Sequence, residues 1–262
     1  MTTSTKDTTG IRGYAVRRPV TALLTVVLAA GVPLLTLAAA ADMTGPVIVL
    51  LAFGVLAGGS LLITRWERGP TGVRELLGRL VRWRFGIGQW FTVLLAMPLL
   101  TLGVAAVTGT LVTPERGWAY ETGRYLFLVV VFGALLLNLA EELGWMGFVQ
   151  SRLMQRRGLL VGSLLTAIPF AVLHLPLAFE PGWTWSSAGI ELAAIVALAP
   201  FLRYLLGALY LDTAGSLLAV GLMHASYNAA GQLGAVDGGW QFLPALAILT
   251  VVVAVLRARS RG

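Results

Sequence analysis

Three stretches, residues 19–41, 46–64 and 87–112, contain no charged side chain. A helix of about 20 apolar residues crosses a hydrocarbon core about 30 Å thick. Five further segments are long and apolar enough, or nearly so: 125–150, 158–179, 188–210, 213–230 and 240–256, the last two being short. The fold class that follows is an all-α polytopic membrane protein with about eight transmembrane helices. Composition agrees: 57% of the 262 residues are hydrophobic and 12% are charged, about half the ~25% charge of a soluble domain. Residues 19–41 exceed a signal-peptide core, and no A-x-A site precedes a soluble domain, so they read as a retained first span. No internal repeat is visible, and a soluble second domain has nowhere to fit. The reading is therefore a single membrane-embedded domain over 1–262.

The basic residues orient the spans. Lys6, Arg12, Arg17 and Arg18 precede the first. Arginines 65, 68, 74, 79, 82 and 84 lie between the second and third. Arg152, Arg156 and Arg157 separate the fourth and fifth, and Arg257, Arg259 and Arg261 follow the eighth. The opposite side holds only Arg116 and Arg124. The positive-inside rule then places both termini in the cytoplasm. A net charge of +7 so distributed points to a membrane lipid surface and not to nucleic acid. Residues 65–86 form a basic linker in which Val73, Leu76, Leu77, Leu80 and Val81 recur at helical spacing. It reads as an amphipathic helix on the inner leaflet or as a basic loop fixing topology. Arginine outnumbers lysine eighteen to one, which with the wealth of Ala, Leu and Gly suggests a bacterial plasma membrane. The absence of cysteine excludes disulfides, thiol nucleophiles and Cys-ligated metals.

Against this apolar background, "LNLAEELGWMG" (137–147) sets Glu141 and Glu142 side by side within a span. An ionisable side chain at a span centre costs at least ~2.5 kcal/mol, and such groups usually face the bundle interior and mark a site. The others within spans are His174, Glu191, Arg203 and His224, and Asn138 and Asn228 add amides. Phe170 and His174 share a helix face, as do His224 and Asn228. At 1.5 Å per residue, Glu141 and His224 each lie about 16 Å from the basic side and His174 about 24 Å. Pro169 and Pro176 flank His174 and permit kinks that could bring it to the others. Glu191, near the outer end of its span, reads as interfacial. Arg203, about seven residues from the inner end, reads as a snorkelling side chain.

Two chemistries fit this set. A carboxylate can take a proton from water while imidazole and amide groups stabilise an oxyanion. Alternatively Glu141, His174 and His224 could ligate a divalent metal such as zinc, with the second glutamate as base. No H-E-x-x-H is present. A transporter that relays protons through these groups is the rival from another class, although no paired halves with broken helices are found.

The segments "EELGWMGFVQSRL", "FAVLH" and "GALYLDTAGSLLAVGLMHASYN" resemble the successive motifs of the CPBP intramembrane proteases, the CAAX-protease and bacteriocin-processing (Abi) family. The resemblance covers residues 138–232, with 33 residues from Glu141 to His174 and 50 from His174 to His224. It implies an eight-helix endopeptidase, metal-dependent or not, acting on a membrane-associated peptide or protein. It implies a catalytic set of Glu141, Glu142, His174, His224 and Asn228. Glu141 would activate water, His174 would hold that water or a metal, and His224 with Asn228 would bind water, metal or oxyanion. In the family's first motif an arginine stands four residues after the second glutamate, and here that position is Met146. Glu142 then needs another cation or a proton, and Arg203 is the expected substitute. Without compensation the chain would be a silent scaffold or a bacteriocin-immunity type of membrane protein.

Overall fold

The computed structural model describes residues 10–259, the side chains of 134–136 excepted. Lys6 and Arg261, used above for orientation, lie outside the described residues. All regular structure described is helical. In chain order the helices are α1 (Gly10–Arg17), α2 (Pro19–Ala40), α3 (Thr44–Gly78), α4 (Ile87–Val107), α5 (117–137), α6 (Asn138–Phe179), α7 (Trp185–Asp212), α8 (Leu217–Ala230) and α9 (Phe242–Arg259). Among the described residues six of them are long and apolar enough to cross a membrane: α2, α3, α4, α6, α7 and α9. The chain is a multi-pass membrane protein by helix composition. α8 has only 14 residues, in keeping with its short apolar run.

Glycine breaks two of the longest helices. Gly158 (φ 77°, ψ 172°) and Gly69 (φ 68°, ψ −164°) adopt a conformation essentially restricted to residues without a Cβ. The break at Gly158 reverses the chain. In a straight helix Gln150 and Ser163 would stand about 20 Å apart, yet Gln150 Nε2 donates to Ser163 Oγ at 3.0 Å. α6 is therefore a helical hairpin, which explains a 42-residue helix where two spans are expected. At Gly69 the chain leaves the α3 span and enters a short helical stretch through Gly78. That stretch buries Gly72 and Leu76 but exposes Leu77, and Val81 beyond its end is exposed as well, so only part of the spacing read in the linker forms a packed face.

Caps and turns position the two helices that carry the site's basic groups. Thr184 accepts from Ser187 N at 3.1 Å, and Ser187 Oγ accepts from Thr184 N at 2.8 Å. This reciprocal cap satisfies donors that the start of α7 leaves open. Ser216 Oγ accepts from Ala219 N at 3.0 Å to start α8. Between them Ala214 and Gly215 have positive φ (51° and 82°), so the connection is tight and α7 and α8 run antiparallel. Arg203 and His224 then lie about 14 Å and 12 Å from the same turn. Elsewhere helices meet closely. A Cβ at Gly133 would come within 2.2 Å of Ala225 Cβ, so α5 approaches α8 as only small residues allow.

The arginines collect at one end of the bundle. Arg79 Nη1 donates to Tyr210 OH at 2.7 Å, and Arg82 donates to the Ala214 carbonyl. Arg152 pairs with Glu67 at 2.7 Å, and Arg257 pairs with Asp212. The other end is tied differently. Glu121 accepts from Arg124 Nη2 at 2.7 Å and from Gly234 N at 2.8 Å. Leu111 and Val236 form an isolated antiparallel bridge, which joins the loops that follow α4 and α8.

A Cβ added at Gly158 would meet no atom within 4 Å, so a substitution there tests the backbone alone. Gly158→Ala is expected to destabilise the protein by about 1–3 kcal/mol, seen as a lower melting temperature in detergent. Gly103→Ala, in open space inside a helix, is the control. It should be neutral or stabilising by up to about 1 kcal/mol.

Candidate active site

Glu141 and Glu142 occupy the first turns of α6, directly after a break at Leu137 (φ −121°, ψ −63°). The helix then widens to i→i+5 bonding over Trp145–Gln150, a local geometry common at functional sites. Adjacent positions on a helix point about 100° apart, so the two carboxylates meet different surroundings.

Glu142 faces the bundle interior. Its Oε1 accepts from Arg203 Nη1 at 2.7 Å and its Oε2 from Arg203 Nη2 at 3.1 Å. Oε1 also takes His224 Nδ1 at 2.9 Å. The pair is bidentate and both side chains are 0% exposed. Arg203 therefore does not snorkel, because its partner lies inside the bundle and not at the interface. It supplies the cation expected in place of the missing arginine at 146. Met146 itself is fully buried in the apolar core.

Gln150 completes the arrangement. Its Oε1 accepts from Arg203 Nε at 2.8 Å, and its Nε2 donates to the Arg203 carbonyl at 2.7 Å. The guanidinium also lies 5.3 Å from the Phe170 ring centroid. Sequence reasoning passed over Gln150. The available signal was a buried amide two helical turns after Glu142, on the same face.

Glu141 faces a cavity instead. Its Oε2 accepts from Asn138 Nδ2 at 3.3 Å and stands 4.0 Å from His224 Nδ1. Its Oε1 has no hydrogen-bond partner among the described residues. The cavity holds about 470 Å³ and is lined by Glu141, His174, His224 and Asn228, together with Tyr227 and Glu191. Four of the five expected site residues thus converge on one space, and the fifth, Glu142, sits behind it holding His224. Tyr227 was not singled out from the sequence, since a tyrosine is unremarkable in a span. Glu191, read above as interfacial, lines this cavity.

Both imidazoles are oriented through Nδ1. His174 Nδ1 lies 2.7 Å from the Phe170 carbonyl and His224 Nδ1 2.9 Å from the Glu142 carboxylate. Each acceptor calls for N–H at Nδ1, which leaves Nε2 for other work. Phe170 packs against both rings, its centroid 4.3 Å from that of His174 and 6.1 Å from that of His224. Among the described residues no three His, Asp or Glu side chains stand close enough together to hold a metal ion. The expected set of Glu141, His174 and His224 lines one cavity but does not close on one point. These donors do not fit a zinc centre as arranged.

The chain is thus an all-helical membrane protein with a buried carboxylate–imidazole cluster beside a cavity. Residues 123–230 match the family described as type II CAAX prenyl endopeptidase Rce1-like. The chain carries a domain of that family, the CPBP/Abi group, and the matched segment contains all five site residues. No curated protein sequence gives a significant match. A domain of this family implies an intramembrane peptidase.

The Glu142–Arg203 pair can be tested energetically. Removing one partner of a buried pair leaves an uncompensated charge and typically costs about 3–5 kcal/mol. Arg203→Met is expected to destabilise the protein on that scale in detergent unfolding. The double change Glu142→Met with Arg203→Met should recover much of the loss. A double variant that loses the sum of the two single losses would show that the pair is not coupled.

Proposed function

We propose that the chain hydrolyses a peptide bond of a membrane-associated peptide or protein, with Glu141 as general base. The observation that carries this reading is the difference between the two glutamates. Glu142 has both oxygens engaged by Arg203 and His224, whereas Glu141 keeps an oxygen facing the cavity. A base must reach the water that it activates, and only Glu141 meets that condition.

In the proposed reaction Glu141 takes a proton from a water that His174 Nε2 helps to hold. The resulting hydroxide attacks the carbonyl carbon of the scissile bond. Negative charge develops on the carbonyl oxygen, and His224 with the Asn228 amide stabilises it. With His224 as imidazolium, Nδ1–H keeps Glu142 and Nε2–H serves the oxyanion. Two carboxylates, the imidazolium and the Arg203 guanidinium then sum to zero charge in a low-dielectric site. As the C–N bond breaks, Glu141 returns its proton to the leaving amine. Glu142 and Arg203 are positioning residues in this scheme, holding His224 in one orientation.

We place the protein in a bacterial plasma membrane with eight spans and the arginine-rich end in the cytoplasm. The Gly158 hairpin supports counting α6 as two spans, and the clustering of arginines at one end supports the orientation.

Glu141→Gln is nearly isosteric and cannot act as a base. It is expected to lower turnover of a fluorogenic peptide in detergent by about 10²–10⁴-fold while leaving the melting temperature close to that of the native protein. Undiminished turnover in this variant would remove Glu141 from the mechanism. Substrate-dependent flux in proteoliposomes, with no cleavage in detergent, would favour a transporter.

A further inference from the structure

The cavity wall contains one charged group that the proposed chemistry does not use. α7 contributes Ile190, Glu191, Ala194, Ile195, Leu198, Ala199 and Leu202 to the lining. Their spacing of three and four is a single helical stripe, ending beside Arg203 at the catalytic cluster. Every member is apolar except Glu191, which lies with Ile190 at the end of the stripe far from Arg203, in a cavity that Gly238, Gly239 and Trp240 also line. Among the described residues Glu191 makes no ion pair, unlike Glu67, Glu75, Glu121, Glu141 and Glu142. The carboxylate is exposed. The loops at this end of the bundle carry Asp42, Glu115, Glu180 and Asp237 against Arg116, so the approach to the cavity is acidic, whereas the opposite end is basic.

We propose that Glu191 is a specificity-determining residue that receives a lysine or arginine side chain of the substrate, entering from the acidic end of the bundle. Resting on the peptidase reading of the same site, the inference names the class of peptide it takes. From Glu191 to Arg203 is twelve residues of helix, about 18 Å. An extended peptide covers that distance in about five residues at ~3.3 Å each. The preferred substrate then has an apolar stretch of about five residues between the bond that is cut and a basic residue. The stripe of Ala, Ile and Leu accommodates the apolar stretch, and the carboxylate accepts the cation. A charge-assisted hydrogen bond at the edge of a low-dielectric cavity discriminates by about tenfold or more against a neutral side chain.

The test uses the full chain purified in detergent and a set of N-acetylated fluorogenic peptides with apolar sequences. A peptide that the native protein cuts is first identified. A single lysine, or glutamine as its neutral counterpart, is then walked from two to nine residues from the cleaved bond. The expected result is a kcat/KM about tenfold higher for lysine than for glutamine near the fifth position. Glu191→Gln should bring that ratio close to one. Glu191→Lys should favour a glutamate at the same position, a reversal that an unfolded protein cannot produce. A flat lysine profile, or one unchanged by Glu191→Gln, overturns the inference and leaves the peptidase reading intact. If the native protein cuts no peptide, binding of dye-labelled lysine and glutamine peptides replaces turnover as the readout. A lysine preference that depends on Glu191 then supports the recognition site while the peptidase reading fails. Equal binding overturns the recognition site as well.

Discussion

The Glu142–Arg203 contact is the interaction on which the site depends. Two full charges are held where neither side chain touches solvent. The cost of removing either ion from water is several kcal/mol, which only close, well-directed contacts offset. The structure supplies those contacts from four sides: the carboxylate, the Gln150 amide, the Phe170 ring and the His224 imidazole. Each member restricts the others, so α6, α7 and α8 can meet in one register only. The cavity lined by Glu141 and His224 is what this register leaves open.

From that constraint follows the division of labour between two adjacent acids. They share a sequence position to within one residue, yet one is saturated with donors and the other is not. Helix geometry alone separates them, since neighbouring side chains point in different directions. The saturated acid holds His224 through Nδ1, and the unsaturated one meets the cavity that the imidazole also lines. A single glutamate could not do both, because the donors that fix an imidazole also consume the lone pairs a base requires. The tandem pair therefore has a physical purpose that either residue alone would not show.

Much of this was legible before any coordinates, and the reason is specific. Charges are so costly within apolar runs that Glu141, Glu142, His174 and His224 stood out at once, and their helical depth placed them together. The spans were legible from hydropathy, and the arginine pattern anticipated the basic end of the bundle. What escaped the sequence depended on tertiary direction. Gln150, at the end of the fourth apolar segment, was passed over, because its contact with Arg203 comes from a helix more than fifty residues away in the chain. Arg203 taken alone read as snorkelling, since nothing local says which way a long side chain turns. The missing arginine at 146 was the stronger clue, because an unpaired buried Glu142 demanded a cation from somewhere. Glu191 looked interfacial because depth along a helix was readable and the face it presents was not. A metal triad was conceivable from residue types and was not met by their positions.

Moving the arginine from the helix of the glutamates to a neighbouring helix changes what the ion pair does. A partner four residues along the same helix would stabilise α6 and orient Glu142, and would leave α7 free to shift. With the cation on α7, the carboxylates are fixed to the helix that also forms one wall of the cavity. The stripe from Glu191 to Leu202 and the guanidinium at its foot belong to one helix, which also contains Pro200. Arg203 on that helix donates to Glu142, and Glu142 in turn meets His224 Nδ1. The cavity wall on α7 and the orientation of His224 thereby share the Glu142 carboxylate, a link that an arginine at position 146 would not provide.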